Sequence, residues 1–537
     1  MVTIEINLKR LEGLVGKSRE DILNALEDLA WEIREIDNLG RAVLERDPDR
    51  IDQLSFFSIA RALQCYFSGE PKEYKIEEVG GELIVKEVPY RPYAIGLIVK
   101  DVSLDEEILN YLIQFQEKVH DTFGRKRRKL SMGYYDLDKI RFPLQYSLED
   151  PNQIVYTPLG WDKKAPAPEI IANHETGKKY GEIIRKYEKW PVLRDAEGKV
   201  LALIPIVNSR ECGEVSEGTK NLYIDVTGTD FELINTVGSI LACDFLDFGA
   251  KVELVRVKEL EREFNSPILE YKEMEIEYEK INKIIGKDWS REEIKMLLQK
   301  SGHLVRENKV YVPSYRNDIR DYRDLAEDCA RVFGYRNLIP KLPKRYSLAK
   351  LSFRTRVIEE IRILLASYGL VEVMTPALLP SPVQIDLMKF SAPVVKVLES
   401  KERYIDSMRR WMLPSLLNYV KANKGEKLPI RIFDIDYVVI PPNNSELTLG
   451  VLLYGEGQDY TKIRQVLEYL LQKLRKRVII KEKDYPWFIE GRSASILFHG
   501  EEVGFMGEIH PEVILNFGLD RPASALELSI ERLYHFA

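Results

Sequence analysis

The stretch VPSYRNDIRDYRDLAEDCARVFGY, Val312–Tyr335, decides how the rest of this chain is read. It gathers Asp318, Asp324, Glu327 and Asp328 within eleven residues, at the start of an apolar helical stripe. Asp324, Glu327 and Asp328 stand at i, i+3 and i+4 and so share one arc of a helix. Leu325, Cys329, Val332 and Phe333 form the buried stripe beside that arc, and Gly334 ends the helix. Asp318, six residues before Asp324, can fold back over the first turn. Carboxylates in a first turn are favoured by the helix macrodipole, by about 0.3–1 kcal/mol each. A binding role is the other account, and the residues alone leave both open.

Just upstream the chain reads INKIIGKDWSREEIKMLLQKSGHLV, with Ser290 and Glu293 set as a capping box and Gly302 as a C-terminal stop. The N-terminus echoes it. GKSREDI answers GKDWSREEI, and IARALQCY (Ile59–Tyr66) answers DCARVFGY (Asp328–Tyr335). In the first copy a strand, VTIEINL, precedes a helix capped by Ser18, whose apolar positions Ile22, Leu26, Leu29 and Ile33 predict a run through Ile33. A second helix is predicted over roughly residues 55–66. Matching Ala60-Arg61 to Ala330-Arg331 sets Pro48, Leu54, Phe57 and Ser58 where the four acids stand. The acids are therefore not a requirement of the module's fold.

A chain of 537 residues exceeds what one core supports and predicts several domains. Between the modules, strand-like runs (GELIVKEV, YAIGLIVKDV, KVLALIPIV, NLYIDV, KVELVRV) alternate with helical stretches such as 106–123 and 231–246. This reads as one α+β domain. The final third opens with a helix, LSFRTRVIEEIRILLASYGL, and continues with antiparallel strand candidates RIFDIDYVVI, LTLGVLLYG and SASILFHGEEVGFMGEI and a helix near 460–476. The expected organisation is a multidomain α+β chain: a small helix-containing module at 1–75, a mixed domain at 76–262, a second small module at 263–342, and an antiparallel-sheet domain at 343–537.

With 45% hydrophobic and 31% charged residues, the composition is that of an ordinary globular protein. No apolar run approaches a membrane span, MVTIEINLKRLEG places charges where a signal peptide needs an apolar region, and the four cysteines form no CxxC pair. The expected location is the cytoplasm. A formal charge of −7 argues against nonspecific coating of nucleic acid, which needs basic excess. The run Arg125–Lys129 (RKRRK) is a local exception that suits RNA phosphates or a solvated face. No P-loop, GxGxxG, HExxH or GxSxG pattern is present, and the six dispersed histidines mark no site.

VPSYRNDIRDYRDLAEDCARVFGYRNL closely resembles the signature of the phenylalanyl-tRNA synthetase beta-subunit family, and NLYIDVTGTD resembles its archaeal and eukaryotic type. The resemblance covers nearly the whole chain and implies a heterotetramer of two alpha and two beta subunits that charges tRNA(Phe) with phenylalanine, using ATP. It places the aminoacylation site on the alpha subunit. The run Arg356–Pro376 resembles a class II synthetase dimerisation motif. Against the catalytic pattern of that class, however, Ile440 and Pro442 stand where an arginine and an acid belong. Ala525, Glu527 and Ser529 stand at glycine places ahead of Glu531 and Arg532. Stabilising charge on phosphorus needs positioned cations and donors, so this domain is expected to be noncatalytic.

The resemblance also implies a Mg²⁺ site at Asp318, Asp324, Glu327 and Asp328, with aspartate at the last position where relatives often carry glutamate. Mg²⁺ takes few direct carboxylates, so some of the four would act through water. In the middle domain the resemblance implies hydrolysis of mischarged Tyr-tRNA(Phe). The candidates lie in Val207–Phe231: Asn208, Ser209, Glu211 and Thr219 on a loop, then Thr227, Thr229 and Asp230 at a helix start whose N–H groups can receive an oxygen. The turn and N-cap account of Thr227–Asp230 stays open. The rivals are a stand-alone aminoacyl-tRNA deacylase and a nonenzymatic interaction protein of class II ancestry.

Overall fold

At the N-terminus, alternation in VTIEIN puts Val2, Ile4 and Ile6 on one buried face, and the segment pairs as the strand Val2–Asn7. Helices Leu8–Val15 and Arg19–Asp28 follow, the first ended by Gly16 at φ 69° and the second capped by Ser18. The apolar period predicts the second helix through Ile33, but it stops at Asp28. Ala30 turns the chain at φ 66°, and Glu32–Ile36 pairs with the strand Arg41–Arg46. Ile33 fits both a helical and an alternating pattern, and strand pairing decides between them. Helix Phe56–Ser68 completes a unit whose central strand is Arg41–Arg46. The computed structural model describes residues 1–342, 348–400, 402 and 404–535.

The second module repeats this order. Strand Lys272–Glu275 leads to helices Tyr278–Ile285 and Arg291–Lys300, strands Leu304–Arg306 and Lys309–Val312, and helix Tyr322–Phe333. The last strand is again central. Gly286 at φ 75° ends the first helix as Gly16 does, and Ser290 with Glu293 forms a capping box.

Between the modules runs a ten-stranded sheet. At one end Lys251–Lys258, Tyr93–Lys100, Leu222–Gly228 and the edge strand Leu130–Asp136 lie side by side, antiparallel. Strand Glu263–Ser266 pairs with Lys251–Lys258, so this sheet extends past residue 262, the expected limit of the middle domain. Helices Glu106–Asp121 and Phe231–Asp247 contribute to one apolar core with both modules, through Leu112, Val237, Leu26, Leu63, Leu298 and Leu325. Residues 1–342 form one compact unit.

Arg61 is a joint within that unit. Its guanidinium pairs with Asp244 and Asp247 at 2.9 Å each and lies 4.6 Å from the ring of Tyr315 in the second module. Ser55 and Ser58 donate to Asp244 at 2.5 and 2.7 Å. Burial nevertheless pushes the Asp244 carboxyl up to about 6.

Residues 343–537 form the other unit, a seven-stranded sheet in which only Val371–Glu372 runs parallel to its neighbour. Helices Phe353–Ser367 and Tyr460–Lys473 pack on one face, and Trp411, Leu416, Trp487 and Phe488 fill the other. No helix among the described residues is long and apolar enough to cross a membrane.

Removing one member of a buried ion pair leaves an uncompensated charge. Arg61→Leu is expected to lower the unfolding free energy by about 3–5 kcal/mol in urea melts of the full chain. Adding Asp244→Asn should recover part of the loss. An unchanged midpoint for the single variant would show that Arg61 is not this joint.

Candidate functional site

On strand Leu222–Gly228, Asp225 pairs in register with Gly96 on one side and Gly133 on the other. A Cβ at Gly133 would stand 2.7 Å from Asp225 Oδ1 and 2.8 Å from the Tyr135 hydroxyl, so glycine is what lets these groups converge. The Tyr135 hydroxyl donates to Asp225 Oδ1 at 2.7 Å and lies 3.2 Å from Asn208 Oδ1. Asp225 Oδ2 is buried and, among the described residues, has no hydrogen-bond partner.

This carboxyl lines a cavity of about 290 Å³ at the sheet's edge. Leu112, Met132 and Ile206 supply apolar walls, and Ser131, Asn208 and Arg127 supply polar ones. Burial raises the Asp225 carboxyl to about 7, against the opposing pull of Tyr135 and Arg91. Arg91 is itself fully buried and is lowered to about 10 by burial. It donates to Thr227 Oγ1 at 3.1 Å, to the Thr227 carbonyl at 2.8 Å and to Ser131 Oγ at 2.8 Å, and so fixes the ends of both strands. The site thus presents a carboxyl able to hold or release a proton near neutrality, with one oxygen unclaimed, in a space sized for a small side chain.

The structure brings only Asn208 of the seven sequence candidates to this cavity's lining. Thr227 is buried behind it, between Arg91 and Ser131. Ser209 caps the short helix Arg210–Gly213, and Glu211 is exposed on that helix. Thr219 accepts from the Ser216 N–H within its loop. Thr229 is exposed, and Asp230 caps helix Phe231–Asp247 and lines a different cleft with Arg125, Lys129 and Arg320. Asp225 was hidden inside NLYIDV, where the alternation reads as plain strand. Its signal was a charged residue at a buried position, opposite glycines in two other runs, YAIG and SMG.

The four acids of the opening stretch have separate partners. Asp328 is buried against His303 Nε2 at 2.7 Å and Arg316 at 2.8 Å, and Arg316 also grips Asp318 at 2.7 Å. Asp324 accepts from the N–H groups of Arg320 and Asp321 at 2.6 and 3.0 Å, forming a capping box. Glu327 pairs with Arg331 at 2.6 Å on the exposed side. Among the described residues no three His, Cys, Asp or Glu side chains are placed to hold a metal ion. The four carboxylates are thus engaged by different partners rather than gathered around one point.

In the C-terminal unit Ile440 ends strand Ile430–Ile440, with Pro442 in the turn after it. Ala525, Glu527 and Ser529 are buried on strand Ala523–Ser529. Glu527 accepts the N–H groups of Met412 and Leu413 at 2.9 and 3.2 Å, and burial raises it to about 8. Glu531 pairs with Arg354, and Arg532 with Glu446, each at 2.9 Å.

Comparison with known proteins matches residues 274–335 to the tRNA synthetase B5 domain and residues 339–530 to the phenylalanyl tRNA synthetase beta chain CLM domain. The phenylalanine–tRNA ligase beta subunit of Pyrococcus furiosus is 34% identical over 559 residues, covering 99% of this chain and 100% of that one. That of Sulfurisphaera tokodaii is 32% identical over 555 residues, covering 99% of each. A crystal structure of an N-terminal fragment of the Pyrococcus horikoshii beta subunit superimposes with a TM-score of 0.59 at 31% identity, covering 62% of this chain and 99% of that fragment. The matched domains and the fold define a subunit of an aminoacyl-tRNA synthetase. The chain belongs to the archaeal-type phenylalanine–tRNA ligase beta-subunit family.

A carboxyl raised in the folded state stabilises it while protonated, and that contribution is lost as pH rises from its unfolded value through about 7. Asp225→Asn removes this loss. The variant's stability relative to the parent should climb between about pH 4 and pH 8 in thermal melts. A pH-independent difference would mean that Asp225 titrates like an exposed aspartate.

Proposed function

We propose that this chain works with an alpha subunit, as two alpha and two beta chains, in charging tRNA(Phe) with phenylalanine, and that its Asp225 cavity hydrolyses mischarged Tyr-tRNA(Phe). Membership of the beta-subunit family supports the first part. The observation that carries the second is the unclaimed Oδ2 of Asp225 inside a small, largely apolar cavity. A site that hydrogen-bonds a substrate hydroxyl rejects the analogue lacking it by about 10⁴–10⁵, because its buried polar group is left unpaired. Asp225 accepting the tyrosine phenol would admit Tyr and refuse Phe by that means. Asn208 and Ser131 offer further polar contacts.

Aminoacylation is assigned to the alpha partner. In support, Glu527 fills a glycine place and is satisfied by backbone N–H groups, while Glu531 and Arg532 are committed to pairs within the fold. For Mg²⁺ the reading applies only to the assembled complex. Asp324 and Glu327 keep solvent-facing surface on one helix arc, where water ligands of an ion shared with another chain could be accepted. Melting of this chain alone should be the same with Mg²⁺ and with a chelator, and a Mg²⁺-dependent rise would place a complete site within it.

The test of editing is deacylation of Tyr-tRNA(Phe) by the assembled complex. Asp225→Ala is expected to slow it by about 100-fold or more while phenylalanine-dependent ATP–pyrophosphate exchange stays unchanged. Hydrolysis at the parent rate would overturn the assignment.

A further inference from the structure

Beside the Asp225 cavity lies a second cleft, of about 400 Å³, whose lining includes Tyr90, Tyr187, Lys126, Arg128, Lys179 and Lys186. The rings of Tyr90 and Tyr187 stack 3.6 Å apart and within 3° of parallel, and the Tyr90 hydroxyl is anchored on the Lys189 carbonyl at 2.6 Å. The cations arrive by an unusual backbone. Arg125, Lys126 and Arg127 are consecutive left-handed residues, at φ 47°, 55° and 65°, a conformation non-glycine residues rarely adopt even singly. Arg91 holds this turn by donating to the carbonyls of Arg127 and Arg128 at 3.1 and 3.4 Å. As a result Lys126 and Arg128 line this cleft, while Arg127 turns inward over the Tyr180 ring and donates to the Ile206 carbonyl at 2.8 Å.

Among the described residues, none of Lys126, Arg128, Lys179 and Lys186 has a carboxylate in ion-pair range. The one acid on the lining, Glu182, is taken by Arg185. Lys179 and Lys186 lie over the rings of Tyr180 and Tyr187, at 5.0 and 5.1 Å, and in a chain of net charge −7 four cations around one concave surface without a carboxylate partner mark a place for an external anion. The cleft also adjoins the Asp225 cavity: Arg91 lines the cleft and bonds Ser131, which lines the cavity, and Arg127 lines the cavity while its ring partner Tyr180 lines the cleft.

We propose that this cleft docks the single-stranded, phosphate-bearing 3′ end of an RNA whose terminal ester enters the Asp225 cavity, a proposal that rests on the editing reading of that cavity. Lysines and an arginine supply phosphate contacts, and the stacked tyrosine pair supplies a flat wall for a base or ribose, the combination used for single-stranded nucleic acid.

The test measures binding of a labelled, uncharged acceptor-stem hairpin with a single-stranded 3′ tail to the full chain across a salt series. Lys126→Ala/Arg128→Ala/Lys179→Ala is expected to bind about tenfold more weakly, and the dependence of log K on log salt should become shallower by about 2, at roughly 0.7 for each phosphate no longer neutralised. An unaltered affinity and slope in the triple variant would overturn the proposal. So would equal binding of a blunt hairpin, or displacement of the RNA by an acidic peptide at equal charge. Loss of hairpin binding in the triple variant, with Asp225→Ala still hydrolysing Tyr-tRNA(Phe), would sink the editing reading and leave the docking surface standing.

Discussion

A carboxyl removed from water without an ion-pair partner is the constraint around which the first unit's site is arranged. An ionised aspartate in such a place is expensive, and the ordinary response is to keep its proton. Asp225 does so, at about 7, and the surrounding sequence makes this tolerable. Gly96 and Gly133 flank it in register, Tyr135 gives one oxygen a donor, and Arg91 contributes a weak opposing field while spending its own donors on Thr227, Ser131 and the basic turn. The second oxygen has no partner among the described residues. Substituting any one of these neighbours changes the others, because the same few atoms fix the sheet edge, the cavity and the turn at 125–127.

The two small modules show how one topology serves two ends. Their strand order and helix order agree, yet the last helix is used differently. In the first module Phe57 and Ser58, at the places of Glu327 and Asp328, face the middle domain: Ser58 donates to Asp244, and Phe57 packs 5.2 Å from the ring of Phe248. Carboxylates there would confront Asp244 directly, which gives a physical reason for their absence. In the second module the same positions face Arg331, Arg316 and His303, and carboxylates are accepted. Arg61 and its counterpart Arg331 both reach across to another part of the chain, to Asp244 and Asp49 respectively.

How much of this could be read beforehand follows from the range of each signal. Caps and glycine stops are local, so Ser18, Ser290, Asp230 and Gly334 were legible. The end of the second helix was not, because its apolar period continues through Ile33 and only pairing with Arg41–Arg46 turns that segment into strand. Edge strand Leu130–Asp136, which carries the glycine that Asp225 needs, is not among the strand-like runs of the sequence. Asp225 itself illustrates the limit: alternation assigns a residue to a face, but what lies across from it comes from strands far away in the chain. The seven candidates in Val207–Phe231 are polar residues on loops and at helix starts, and three of them, Ser209, Thr219 and Asp230, satisfy local backbone groups.

The C-terminal unit supplies the contrast that separates a structural acid from a functional one. Glu527, like Asp225, sits buried on an inner strand and holds its proton well above the ordinary range, at about 8. A raised pKa alone would flag both. The difference lies in the acceptors. Glu527 takes two backbone N–H groups at the start of helix Leu413–Ala422 and so acts as part of the fold. Asp225 has an oxygen without a partner among the described residues, and it lines a cavity. An unsatisfied buried acceptor is destabilising unless something else is gained, so its retention is intelligible when a substrate hydroxyl completes it. By that criterion Asp225, and not Glu527, fits the editing reading proposed for this chain.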